Sequence, residues 1–157
     1  MVQITARDFM VTDLITISPE ADVLEATRLL LKHRISGAPV VDAQGRYLGV
    51  FSEKSSMHVL LDAAYGELPT RDVRAFMDAE AQTITPETHL LSVAQVFLLT
   101  PFRRLPVLED CRLVGLVSRR DVLQCWLRLI EEAPSVSTEV ALMYFSELFS
   151  AEEAPLA

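Results

Sequence analysis

The chain has 157 residues, half of them apolar, enough for one domain or two very small ones and too apolar for a disordered chain. Its formal charge of −8 excludes a broad nucleic-acid-binding face, which needs a basic surface, though it leaves room for a small local anion site. No apolar run reaches membrane-spanning length, and Cys111 and Cys125 fit neither a metal spacing nor a disulfide framework. Without a basic-then-apolar leader, a soluble, reducing, cytoplasmic setting is the simplest reading.

In chain order, "ITIS" (Ile15 to Ser18) reads as a short strand ended by Pro19. Asp22 and Glu25 form the pattern of a capping box, and Val23, Ala26, Leu29, Leu30 and His33 follow with helical spacing. "APVVD" (Ala38 to Asp42) is a short buried strand, "AQGR" a turn and "YLGVFS" (Tyr47 to Ser52) a second strand. Ser52 stands where that strand gives way to a helix through "EKSSMHVLLDAA", and its hydroxyl can cap it. "YGELPTRD" (Tyr65 to Asp72) holds Gly, Pro and Thr and reads as a linker.

The chain then repeats itself. "RDFM" at Arg7 returns as "RAFM" at Arg74, "TISPE" at Thr16 as "TITPE" at Thr83, and "APVV" at Ala38 as "LPVL" at Leu105, each at an offset of 67 residues. The glycines of "YLGVFS" and "LVGLVS", Gly49 and Gly115, lie 66 apart, so the second copy has lost one residue in its turn. The second copy's helices fall near Leu90 to Leu99, ending before Pro101, and along "RRDVLQCWLRLIEEA" behind Ser118. Two copies are too few for a solenoid, so a pseudo-twofold pair is expected. Behind the repeated glycine, apolar pair and serine, the acid is not repeated: Ser55 stands where the second copy has Asp121.

The duplicated β-α-β-β-α unit resembles the CBS (cystathionine beta-synthase) domain in its tandem form. The pieces that carry the resemblance are "TISPE…ISGAPVVD…GRYLGVFS" and "TITPE…FRRLPVLED…LVGLVSRRD". It implies an α/β (α+β) fold of two repeats, residues 5–64 and 73–132, joined by the linker 65–72 and followed by a C-terminal helix over 137–150. It also implies a cleft built crosswise from both copies, binding an adenosine-containing ligand such as AMP, ADP or ATP.

Carried over by that resemblance, the first cleft takes Thr16, Ser18, Ile35, Ser36 and Gly37 from one copy and Ser118 and Asp121 from the other. An apolar slot suits adenine, a carboxylate suits the ribose cis-diol, and hydroxyls and amides suit phosphate. Arg103, Arg104 and Arg119 are the candidate phosphate contacts. The second cleft takes Thr83, Thr85, Phe102, Arg103 and Arg104 with Ser52 and Ser55, and lacks the ribose carboxylate. The bland reading of Asp121 is an acid in a helix's first turn, that of Ser118 a plain cap, and that of each arginine pair a solvated charge. His33, His58 and His89 share no metal spacing.

The tail "STEVALMYFSELFSAEE" reads as a helix apolar on more than one face, which must be covered by its own module or by another subunit, with a dimer contact favoured. No nucleophile–base pair, metal cluster or phosphate-cradling glycine loop is present, so the expectation is not an enzyme and no catalytic cofactor. The expected function is a stand-alone regulatory module that senses an adenosine ligand and acts on an effector protein in trans, as a homodimer, with no nucleic-acid or membrane partner. The alternative is a ligand-free structural or oligomerisation module. The sequence does not identify the adenosine ligand or the regulated process.

Overall fold

The computed structural model describes residues 3–132, 139–142 and 145. Its elements in chain order are α1 (Ala6–Phe9), α2 (Val23–His33), β1 (Gly37–Val41), β2 (Tyr47–Ser52), α3 (Glu53–Ala64), a short 3-10 turn (Val73–Ala75), α4 (Leu90–Leu99), β3 (Arg104–Glu109), β4 (Arg112–Ser118) and α5 (Arg119–Glu131). Each repeat is thus a helix, a β-hairpin and a second helix. β1 and β2 pair antiparallel from Gly37 opposite Ser52 to Val41 opposite Tyr47, with an irregularity at Leu48. β3 and β4 form the equivalent hairpin.

The strand expected at the head of each repeat is reduced to a single parallel bridge, Ile17 to Val40 in the first copy and Ile84 to Val107 in the second. Ile17 N–H donates to Pro39 O at 2.9 Å and Val41 N–H to Ile17 O at 3.0 Å. Pro19 and Pro86 follow two residues later, and a proline ends the ladder because it has no amide hydrogen to donate.

α2 begins on Asp22, whose carboxylate accepts from Leu24 N–H at 2.8 Å. The capping box anticipated with Glu25 does not close. Instead Arg71, from the segment read as a linker, meets the same carboxylate at 2.8 Å. Val23 N–H also donates to Arg71 O, so the linker's end is stitched to the start of α2.

The chain folds as two compact units that do not coincide with the two sequence repeats. Of the described residues, one unit comprises 3–12, 84–107, 114–132, 139–142 and 145, and the other 13–83 and 108–113. The first has its own core of Ile4, Ala6, Phe9, Ile84, Leu90, Val93, Phe97, Leu105, Val107, Val117, Val122 and Cys125. Ile17, Val23, Ala26, Leu30, Ala38, Val40, Phe51, Val59 and Val73 form the other, with Phe76 and Met77 against it. The two "R-x-F-M" segments have therefore changed places. Ala6 to Met10 completes the second repeat's core, and Val73 to Met77 completes the first repeat's.

The same exchange explains the repeated glycines. Val11 bridges Leu116 on β4, and Asp78 bridges Val50 on β2. A Cβ on Gly49 would come within 2.6 Å of the Asp78 carbonyl oxygen, and one on Gly115 within 2.6 Å of Met10 Sδ. Glycine lets each leader segment lie close against the strand beneath it.

In the tail, residues 139–142 and 145 are helical; the remainder of the helix expected over 137–150 lies outside the described residues. Ala141 is buried, and the Phe145 ring meets Trp126 of α5 edge-on with centroids 6.4 Å apart. Phe145 thus packs on α5 of its own module, whereas Leu142 is left 48% exposed.

Candidate functional site

Both hairpins deliver their last residue into a helix N-terminus, and there the two repeats can be compared atom by atom. In the second repeat Ser118 is the cap of α5 and Asp121 its third residue. Ser118 N–H and Ser118 Oγ–H both donate to Asp121 Oδ2 at 2.7 Å, and Asp121 N–H donates to Ser118 Oγ at 3.3 Å. In the first repeat Ser52 N–H donates to Ser55 Oγ at 3.0 Å, and Ser55 N–H to Ser52 Oγ at 3.2 Å.

Each pair satisfies two amides that a helix start would otherwise leave without partners. A serine hydroxyl therefore does the capping work as completely as a carboxylate. Ser55 is 4% exposed and its single oxygen is spent within the box. Asp121 is only half-buried, and its Oδ1 accepts no hydrogen bond among the described residues. The second oxygen takes no part in the cap. Sequence reasoning set Asp121 against a simple helix-end role; the structure shows the cap and the spare acceptor together.

The candidates in the first repeat lie at both ends of one short parallel bridge. Thr16 is exposed and lies alongside Pro39, two residues beyond Gly37. Gly37 is buried, starts β1 opposite Ser52, and would bring a Cβ to 3.3 Å from Phe51 O. Ser36 is half-buried, and its carbonyl accepts from Glu53 N–H at 2.9 Å. Ile35, also half-buried, donates its N–H to Leu30 O at 3.1 Å. The Ser18 hydroxyl, on an exposed residue, donates to Glu20 Oε2 at 2.9 Å. That hydroxyl, ahead of Glu20's own backbone and Arg74, holds the Glu20 carboxyl below its usual range.

Among the arginines, Arg103 is exposed and Arg104 half-buried at the start of β3, and neither has an ion-pair partner among the described residues. Arg119 is committed elsewhere. It donates to Phe97 O at 3.3 Å, where α4 is ending, and its guanidinium lies 5.9 Å from the centre of the Phe97 ring. In the second-cleft set, Thr85 N–H donates to Thr88 Oγ1 at 3.1 Å, and Thr83 is half-buried.

Cys125 is a core residue, as its helical spacing suggested, and burial pushes its thiol pKa up. Cys111 is exposed at the β3–β4 turn. Among the described residues no group of three or more His, Cys, Asp or Glu could hold a metal ion. No described helix is long and apolar enough to cross a membrane.

Sequence reasoning missed the ion pairs that hold the exchanged segments. Arg7 meets Glu87 at 2.7 Å and Arg74 meets Glu20 at 3.3 Å. The signal was available: the arginine of "R-x-F-M" and the glutamate of "SPE/TPE" recur at one offset with opposite charge.

Two helix–hairpin–helix repeats, each ending in a serine-capped helix and only one carrying a spare carboxylate oxygen, define a tandem-repeat module with unequal halves. The CBS domain family matches residues 6–55 and 71–128, and the chain belongs to that family. It is similar to MJ1225 of Methanocaldococcus jannaschii, 29% identical over 118 residues, covering 75% of this chain and 41% of that protein. It is also similar to an inosine-5'-monophosphate dehydrogenase of Korarchaeum cryptofilum, 31% identical over 118 residues, covering 74% of this chain and 23% of the enzyme. The chain thus spans less than half the length of these relatives. Among solved structures it resembles CBSX2 of Arabidopsis thaliana in complex with AMP, with a TM-score of 0.72 and 27% identity over 80% of this chain and 97% of that one.

Proposed function

We propose that this chain is a regulatory module that binds an adenosine-containing ligand, AMP being the first candidate. Its ribose hydroxyls would donate to Asp121. The proposed ligand-binding residues are Ser118 and Asp121 of the second repeat and Thr16, Ser18, Ile35, Ser36 and Gly37 of the first, and Arg103 and Arg104 are the phosphate candidates. Arg119 ranks below them because Phe97 already occupies it. The repeats run over 5–64 and 73–132, with 65–72 between them.

The observation that carries this reading is the unspent Asp121 Oδ1, set against Ser55, which caps the same helix position with nothing to spare. The similarity to an AMP-bound CBSX2 supports the ligand class. The module performs no catalysis. It acts in the cytoplasm on an effector protein, as a homodimer. Apolar side chains exposed on α2 and α3, among them Leu31, Met57 and Leu60, support self-association.

The first repeat supplies the test. Asp121→Ser recreates its capping box, so the fold stays and the second oxygen goes. AMP affinity measured by calorimetry should fall by about tenfold to a thousandfold, the scale of one or two charge-assisted hydrogen bonds. An Asp121→Ser protein that binds AMP as tightly as the wild type leaves the ligand-free structural reading in its place.

A further inference from the structure

We infer that the N-terminal arm, residues 4–11, positions Ser118 and Asp121 and so sets ligand affinity without touching the ligand; the inference rests on the ligand reading above. Toward its C-terminal end β4 is flanked on both sides. On one side is β3, and on the other is Val11, whose N–H donates to Leu116 O at 2.8 Å while Leu116 N–H donates to Val11 O at 2.9 Å. Two residues further on, β4 reaches Ser118, whose N–H and hydroxyl both fix Asp121 Oδ2.

The arm is well anchored for this task. Ile4, Ala6 and Phe9 lie in the core with Val117 and Val122, the neighbours of Ser118 and Asp121 in the chain. Ala6 N–H donates to Thr88 O, Arg7 N–H to Pro86 O, and Leu90 N–H to Ile4 O. Met10 covers Gly115, where any side chain would push it away. The path is continuous: arm backbone to Leu116, Leu116 to Ser118, Ser118 to the carboxylate. A carboxylate that must meet two ribose hydroxyls works only within a few tenths of an ångström, so loosening the strand before it weakens binding.

Val11 offers a narrow test, because its side chain is 43% exposed while its amide is engaged. Val11→Pro removes the donor, and Val11→Ala keeps it. Calorimetry with AMP should find Val11→Ala equal to the wild type and Val11→Pro weaker by roughly three- to tenfold. The amide resonances of Ser118 and Asp121 should move in Val11→Pro alone. In an Asp121→Ser background, Val11→Pro should cost no further affinity, since both changes act on one interaction.

The inference is overturned if Val11→Pro binds like the wild type, or loses the same factor whether or not Asp121 is present. Should Val11→Pro not fold, hydrogen exchange of the wild type decides. Saturating AMP should protect the Val11 and Leu116 amides more than the equivalent Asp78 and Val50 pair, and equal protection overturns the inference. If AMP does not bind the wild type, the ligand reading fails and takes this one with it, whereas tight binding unaffected by Val11→Pro removes this one alone.

Discussion

Arg7 holds Glu87 at 2.7 Å, although the two belong to different copies of the repeat. Its counterpart, Arg74 with Glu20 at 3.3 Å, runs the other way. Each copy lends its leader segment to the other, so the unit of folding is not the unit of duplication.

These ion pairs make stability depend on acid. Glu87 is held below its usual pKa chiefly by Arg7, and Glu20 by the Ser18 hydroxyl with help from its backbone and Arg74. A carboxyl whose folded pKa is depressed adds stability above its unfolded pKa, near 4.5 here, and loses it as pH falls through the folded value. Melting temperature should therefore fall as pH drops below that range. Arg7→Ala and Arg74→Ala should flatten the dependence, with a small, salt-sensitive loss at neutral pH, because all four side chains are largely exposed. A pH profile parallel to the wild type's would show that the pairs do not form in solution.

Phe9 is buried in the core of the second repeat, far from it in sequence. Phe9→Ala should destabilise by about 3–5 kcal/mol, the usual cost of such a cavity. By hydrogen exchange, the loss should appear first at Val93 and Val117. Val73→Ala should instead loosen Val40 and Phe51, in the other core. Denaturant titration with residue-resolved exchange checks both, and the reverse assignment would contradict the exchanged leaders.

Gly49 and Gly115 occupy equivalent positions and should differ in tolerance. At Gly49 an added Cβ meets the Asp78 backbone, which cannot turn aside; at Gly115 it meets the Met10 side chain, which can partly yield. Gly49→Ala should cost about 1–3 kcal/mol and Gly115→Ala less. Chemical denaturation of the two variants side by side tests the order.

His89 stands where the first repeat has Asp22. Its backbone has cap geometry, φ −68 and ψ 150, close to Asp22's −70 and 133, yet its side chain makes no cap hydrogen bond. His89→Asp should supply one and stabilise α4 by about 1 kcal/mol. An unchanged or lower melting temperature would show that the α4 amides are already satisfied.

Local signals were legible because each is decided within a few residues. α3 was readable at both ends from Ser52 and the pattern that follows, and α2 and α4 from helical spacing, Asp22 and Pro101. The internal offset exposed the duplication, and with it the exchange of Asp121 for Ser55 behind the repeated glycine and serine. The tertiary structure decided which copy each "R-x-F-M" segment completes. That choice depends on partners about 80 residues away, such as Arg7 and Glu87, and no local periodicity records it. It also decided that one oxygen of Asp121 is consumed by Ser118 and the other is not. Hydrogen-bond accounting at a helix end needs atomic positions, while sequence supplies only the residue types that can take part.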